Sequence, residues 1–230
     1  MRSEHVSVGK NGVKLVPSGN ARGRNLAGNR KEILSVLFRY PASSVSRLAR
    51  EMKLTPNTVK WHLAALLRRE FINEERFDNR SVYYPVNFVD RQEIQMLSVL
   101  NDEEAGSIFC YVFNNAGKSQ KEIKEALKLT QNTAGYFLRK LAHAGLLEEK
   151  QDGKFKFYYP SENFMRKFYE RSRRNSEVIS HFISKLRSEG YEVNETYTDD
   201  GFCILNFRYR RLEEKMLISL NPFRNIVQRN

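Results

Sequence analysis

The chain has little cysteine, little tryptophan and no long apolar run. Cys110 and Cys203 are its two cysteines. They stand far apart, form no CxxC pair and no disulfide framework, and are read as buried thiols. No apolar stretch approaches the ~20 residues that a membrane span needs. The N-terminus has no apolar stretch behind its charges, so it does not match a signal peptide. A cytoplasmic address with no membrane partner is the expectation. His5, His62, His143 and His181 are scattered without metal-ligand spacing. There is no phosphate-binding glycine loop and no nucleophile with a base nearby in sequence. Asp199-Asp200 precedes Gly201 and reads as a turn rather than an acidic pair. These absences argue against an enzyme, a cofactor and a metal, and no separate ligand-binding domain stands out.

Acidic residues are also in deficit. Lys and Arg number 39 against 27 Asp and Glu, leaving a net charge of +12 and a pI near 9.7. Such a surplus attracts polyanions, either nucleic acid or an anionic membrane surface. Its distribution is uneven: residues 1–90 hold 16 cations against 8 acids, 91–160 hold 10 against 9, and 161–230 hold 13 against 10.

What the chain does contain is a repeat. Lys53-Leu54-Thr55-Pro56-Asn57-Thr58 returns 75 positions later as Lys128-Leu129-Thr130-Gln131-Asn132-Thr133. The same shift carries Leu63, Leu66 and Glu74 onto Leu138, Leu141 and Glu149, and Tyr83-Tyr84-Pro85 onto Tyr158-Tyr159-Pro160. Eleven of the 33 positions from 53 to 85 are identical. One return of a small unit indicates domain duplication, since a solenoid needs more stacked repeats.

In the first copy, Ile33, Leu34, Leu37 and Phe38 recur at helical spacing and Pro41 ends that helix. Ser44 caps a short second helix. Thr55 caps a third, with Pro56 in the first helical position and Val59, Leu63, Leu66 and Leu67 on one face. A polar turn around Asp78-Asn79 separates Phe71-Ile72 from Ser81-Val82-Tyr83-Tyr84, which reads as a hairpin. The second copy predicts helices near 103–115, 119–127 and 131–145, closed by Gly145, and a hairpin turning at Asp152-Gly153.

Residues 54–63, Leu-Thr-Pro-Asn-Thr-Val-Lys-Trp-His-Leu, resemble the recognition-helix segment of ArsR- and MarR-type regulators, and the pair of units looks like archaeal tandem winged-helix regulators. That resemblance covers about 27–160. It implies an α+β fold, mainly α with β wings, with two tandem winged helix-turn-helix domains at 29–90 and 91–160; composition and patterning add a basic arm at 1–28 and a C-terminal α+β extension at 161–230. In such folds the third helix enters the major groove and the wing reaches backbone or minor groove.

With Val59 facing the core, steps of 100° point Asn57, Trp61, Ala64 and Arg68 outward, flanked by Thr58 and Lys60. An amide suits adenine edges, while hydroxyls and cations suit phosphates. Thr55, Arg76 and Arg80 complete the first set of candidates. His62 lies nearer the core face and reads as a support. The second set is Asn132, Thr133, Tyr136, Arg139, Lys140 and Lys154. There Gly135, Tyr136 and Phe137 replace Lys60, Trp61 and His62, so this unit either binds DNA weakly beside the first or serves as an interaction surface.

Residues 6–16 carry the Asn-Gly signature of a hairpin at Lys10-Asn11-Gly12. From 161 to 190 the chain reads as helix interrupted at 171–175, followed by strands near 191–198, 202–210 and 215–220. The stripe Val178, Ile179, Phe182, Ile183 and Leu186 serves either its own core or a homodimer seam. The leading expectation is a sequence-specific duplex-DNA regulator of transcription, acting as a repressor or by recruiting the basal machinery. A replication initiator, a protein-interaction module of a larger complex and, more weakly, an RNA binder are the alternatives.

Overall fold

The computed structural model describes residues 26, 28–77, 79–173, 177–198 and 201–227. The expected arm hairpin at Lys10-Asn11-Gly12, Asp78 of the first wing turn and Asp199-Asp200 lie outside the described residues.

Capping chemistry fixes the first helices. α1 (Asn29–Arg39) is followed by α2 (Val45–Met52) and α3 (Pro56–Arg68). The Ser44 hydroxyl accepts from the Arg47 amide at 3.3 Å, and Lys53 ends α2 in the left-handed region at φ 53°. The Thr55 hydroxyl accepts from the Thr58 amide at 3.2 Å, which satisfies one of the amides a helix start leaves unpaired. β2 (Ile72–Phe77) and β3 (Arg80–Pro85) form the hairpin. A two-residue strand, β1 (Ser43–Ser44), joins it in the order β1-β3-β2.

The same plan returns. α5 (Glu103–Asn114), α6 (Gln120–Ala126) and α7 (Gln131–His143) precede the hairpin β5 (Leu147–Asp152) and β6 (Phe155–Pro160), with β4 (Lys118–Ser119) as the short third strand. The repeat reaches the ladder register: Ser43 faces Tyr83 as Lys118 faces Tyr158, and Ile72 faces Pro85 as Leu147 faces Pro160. One difference lies after the third helix. Gly145 takes a left-handed φ of 72° where the first unit places Glu70 at φ 56°.

Two further helices have no counterpart in the sequence expectation. α4 (Arg91–Leu100) links the units and starts with a capping box, Asp90 and Glu93 exchanging side chain–backbone hydrogen bonds. α10 (Pro222–Val227) closes the described chain. Between them run α8 (Glu162–Arg173), α9 (Glu177–Ser188) and the meander β7 (Glu192–Tyr197), β8 (Phe202–Tyr209) and β9 (Leu212–Ser219).

The tail gathers no core of its own. The α9 stripe of Val178, Ile179, Phe182, Ile183 and Leu186 is buried with α1, α3 and the β7–β9 sheet. Phe182 meets Phe38 and Phe71 edge-on at 4.9 and 5.7 Å. That stripe is therefore covered within the chain and is not left as a homodimer seam. Phe164 of α8 and Phe223 and Ile226 of α10 instead belong to the core of the second unit. The expected 161–230 extension is thus divided between the two cores.

β3 sits between those cores. Successive strand residues point to opposite faces; Tyr83 joins the first core, while Val82 and Tyr84 join the second. Phe77, at the end of β2, also packs against the second core.

Candidate nucleic-acid interface

α3 buries Val59, Leu63 and Leu66 and exposes Asn57, Lys60, Trp61, Ala64 and Arg68. Thr55 is exposed and Thr58 half-buried, their hydroxyl oxygens 2.8 Å apart. The expected outward face is therefore an exposed stripe. Its leading end carries the partial positive charge of a helix N-terminus.

Trp61 is 63% exposed, and its ring is held from beneath. The Arg30 guanidinium lies 5.2 Å from the ring centroid, and the His62 ring meets it edge-on at 4.8 Å. Arg30 is buried, so Trp61 rests on a fixed cation rather than a solvated one. His62 lies 3.2 Å from the Asn29 amide nitrogen. Burial and then the Arg30 charge hold its pKa below the ordinary histidine value, which keeps the ring neutral near pH 7. His62 is a support for the helix, as its angle to Val59 implies. Arg30 was legible only as one of several N-terminal cations; its place under the indole is a tertiary fact.

The first wing exposes Arg76 and Arg80. The carboxylates of the same hairpin are engaged by neighbours: Tyr83 and Tyr84 donate to Glu74 and Glu75 at 3.1 and 3.2 Å. Burial, with Glu74 beside it, pushes the Tyr83 phenol up to about 12. Arg80 does not stand alone. With Ser44, Arg47, Asn101, Asp102 and Lys140 it lines a cleft of about 60 Å³ between the units. The tip of the first wing and the later part of α7 thus border one opening.

α7 presents the corresponding stripe. Asn132, Tyr136, Arg139 and His143 are exposed, Thr133 and Lys140 half-buried, and Ala134, Leu138 and Leu141 buried. Gly135, aligned with Lys60, is buried. A Cβ there would come 2.9 Å from the Gln120 side-chain amide nitrogen, the end of a side chain that would have to shift. A cation returns one turn later, because Arg139 aligns with Ala64. On the second wing Lys154 is exposed and Lys156 pairs with Glu149 at 2.6 Å. Phe155 between them is 66% exposed, a feature the hairpin pattern did not single out. Among the described residues, no three His, Cys, Asp or Glu side chains gather as a metal site, and no helix is long and apolar enough to cross a membrane.

Residues 26–73 match a protein-family model described as winged helix-turn-helix DNA-binding. The match covers α1 to α3 and the start of β2. The first unit has the winged helix-turn-helix fold. An uncharacterized HTH-type transcriptional regulator of Methanocaldococcus jannaschii is 28% identical over 141 residues, 61% of this chain. The chain spans about a third of that relative, 35% of its length. Among solved structures, reduced HlyU from Vibrio cholerae aligns with 42% of this chain and 87% of its own, at 21% identity and a TM-score of 0.29. The transcriptional regulator SlyA aligns with 42% of this chain and 74% of its own, at 23% identity and a TM-score of 0.29.

Proposed function

We propose that this chain is a sequence-specific duplex-DNA-binding regulator of transcription, built on two winged helix-turn-helix domains at 29–90 and 91–160. The observation that carries the reading is the α3 stripe: an exposed amide, an exposed indole and two exposed cations on a capped helix of a winged helix-turn-helix. Asn57 and Trp61 face base edges in the major groove, while Thr55, Thr58, Lys60 and Arg68 take phosphates beside it. Arg76 and Arg80 reach the backbone from the first wing. Asn132, Thr133, Tyr136, Arg139, Lys140 and Lys154 extend the contact through the second domain. The cleft shared by Arg80 and Lys140 supports engagement of one duplex by both domains. The basal transcription machinery is a protein partner consistent with this role.

The test is selection from random genomic duplex fragments at two salt concentrations. A single enriched motif is expected, with log affinity falling against log salt by about 0.9 per neutralised phosphate. Salt-sensitive binding without a motif would remove sequence specificity from the reading. No binding at low salt would overturn it in favour of a protein-interaction module.

A further inference from the structure

The two reading helices share only four identities across their 13 aligned positions: Asn57 with Asn132, Thr58 with Thr133, Leu63 with Leu138 and Leu66 with Leu141. The leucines are buried in both units, and the threonine amides are capped in both. Fold maintenance accounts for those three. It does not account for the asparagine, which is exposed in both copies and has no side-chain hydrogen-bond partner among the described residues.

One turn further on, the copies differ in sequence but agree in geometry. Trp61 and Tyr136 are 63% and 53% exposed. Trp61 is met edge-on by the following ring, His62, at 4.8 Å and 74°; Tyr136 is met by Phe137 at 5.0 Å and 73°. Each ring also carries a cation, Arg30 at 5.2 Å in the first unit and Lys140 at 5.9 Å in the second. The supports have been replaced, yet the product is the same: an aromatic ring held out into water on the face that carries the asparagine. Exposing a large ring is unfavourable, so a twice-built one marks a surface that is covered in use.

We infer that both helices read the same kind of element, an adenine by the asparagine amide and a neighbouring thymine by the aromatic ring, so that the target carries two A·T-bearing half-sites. This rests on the proposed duplex binding. An asparagine amide pairs in two-point fashion with the adenine N6 and N7 edge, and the apolar feature of the major groove is the thymine C5-methyl. Residues four apart share a helix face and are offset by about 6 Å along it. That is between one and two base steps of ~3.4 Å, so amide and ring meet different pairs, one or two steps apart, rather than the same one.

The experiment uses the full chain and the duplex enriched by it from the random pool. The duplex is remade with deoxyuridine for thymidine in one half-site, then the other, then both; uracil pairs normally but lacks the methyl group. Removing a buried methyl should weaken wild-type binding about fourfold per half-site. Trp61→Ala should respond to uracil only in the half-site that faces Tyr136, and Tyr136→Ala only in the other. Trp61→Phe, which keeps a ring, should retain both responses. The inference is overturned if uracil leaves wild-type affinity unchanged, if both alanine variants respond as wild type does, or if either enriched half-site lacks thymine. A wild-type chain that binds no duplex would instead overturn the proposed function itself.

Discussion

Glu93 and Arg171 form an ion pair that is 5% and 3% exposed, with Arg171 Nε 3.2 Å from Glu93 Oε1. Glu93 Oε2 accepts from the Asp90 amide at 2.9 Å, completing the α4 cap. Arg171 donates to the Phe88 carbonyl, and its guanidinium lies 4.7 Å from the Phe88 ring centroid. The pair joins α4, which links the units, to α8. Glu93→Gln preserves shape and the cap acceptor while removing the carboxylate charge that faces a buried cation. Breaking such a pair from one side costs about 3–5 kcal/mol, and retention of the amide oxygen as an acceptor puts this case near ~3 kcal/mol. For a chain of this size that lowers Tm by about 6–12 °C. Glu93→Met with Arg171→Met removes both charges. It loses the cap acceptor and the carbonyl contact, about 1–2 kcal/mol together, and should be more stable than Glu93→Gln. Thermal and urea unfolding followed by circular dichroism measure both, and duplex affinity well below the transition should not change. The reasoning fails if Glu93→Gln costs under about 1 kcal/mol, or if the double variant is as unstable as the sum of the singles.

Three further outcomes follow from the same structure. Lys60→Ala with Arg68→Ala should weaken duplex binding far more than Arg139→Ala with Lys140→Ala, lowering the salt slope by about 2; equal losses in titrations at several salt concentrations would refute a dominant first unit. Glu70→Gly should raise stability by about 0.5–1 kcal/mol, because relief of left-handed strain exceeds the added unfolded-state entropy, whereas Glu70→Ala should not; urea midpoints decide. His62 is held below the ordinary histidine pKa by burial and by Arg30, so the unfolded chain takes up a proton before the folded one does. Its stabilisation is complete above about pH 6.5 and is lost as pH falls through the lowered value, and His62→Gln should flatten that acid limb of the Tm profile.

Much of this molecule is written locally. Ser44, Thr55 and Thr130 announce helix starts through their own hydroxyls, and Gly145 announces an end through its left-handed φ. The α3 stripe follows from one core residue and a 100° step. α4 is only ten residues long, and most of them are buried; the narrow polar stripe of Arg91, Gln92, Gln95 and Ser98 and the Asp90 and Glu93 capping pair were the available signals. β1 and β4 are two residues each, too short for alternation to register. The packing of the tail was not legible for a different reason. Amphipathic periodicity reports that a face is buried but not which element buries it, so the α9 stripe could not reveal its partner in α1 or the burial of Phe164 in the other core.

The burial of β3 on both faces changes what the wing can do. A wing covered on one side can swing to follow the duplex, and its arginines then act independently of the rest of the protein. Here Tyr83 is committed to one core and Val82 and Tyr84 to the other, with Phe77 packed against the second as well. Moving the hairpin away from either unit would expose those side chains, at about 1.5–3 kcal/mol for each large one. The wing is thus a structural wall between the units and a carrier of Arg76 and Arg80 at the same time. A reader built this way gains by matching a fixed spacing in its target, since neither unit can adjust without opening a core. Under the proposed function, two equivalent half-sites at one separation are the target such an architecture favours, with the paired Asn57/Trp61 and Asn132/Tyr136 stripes as the proposed readers.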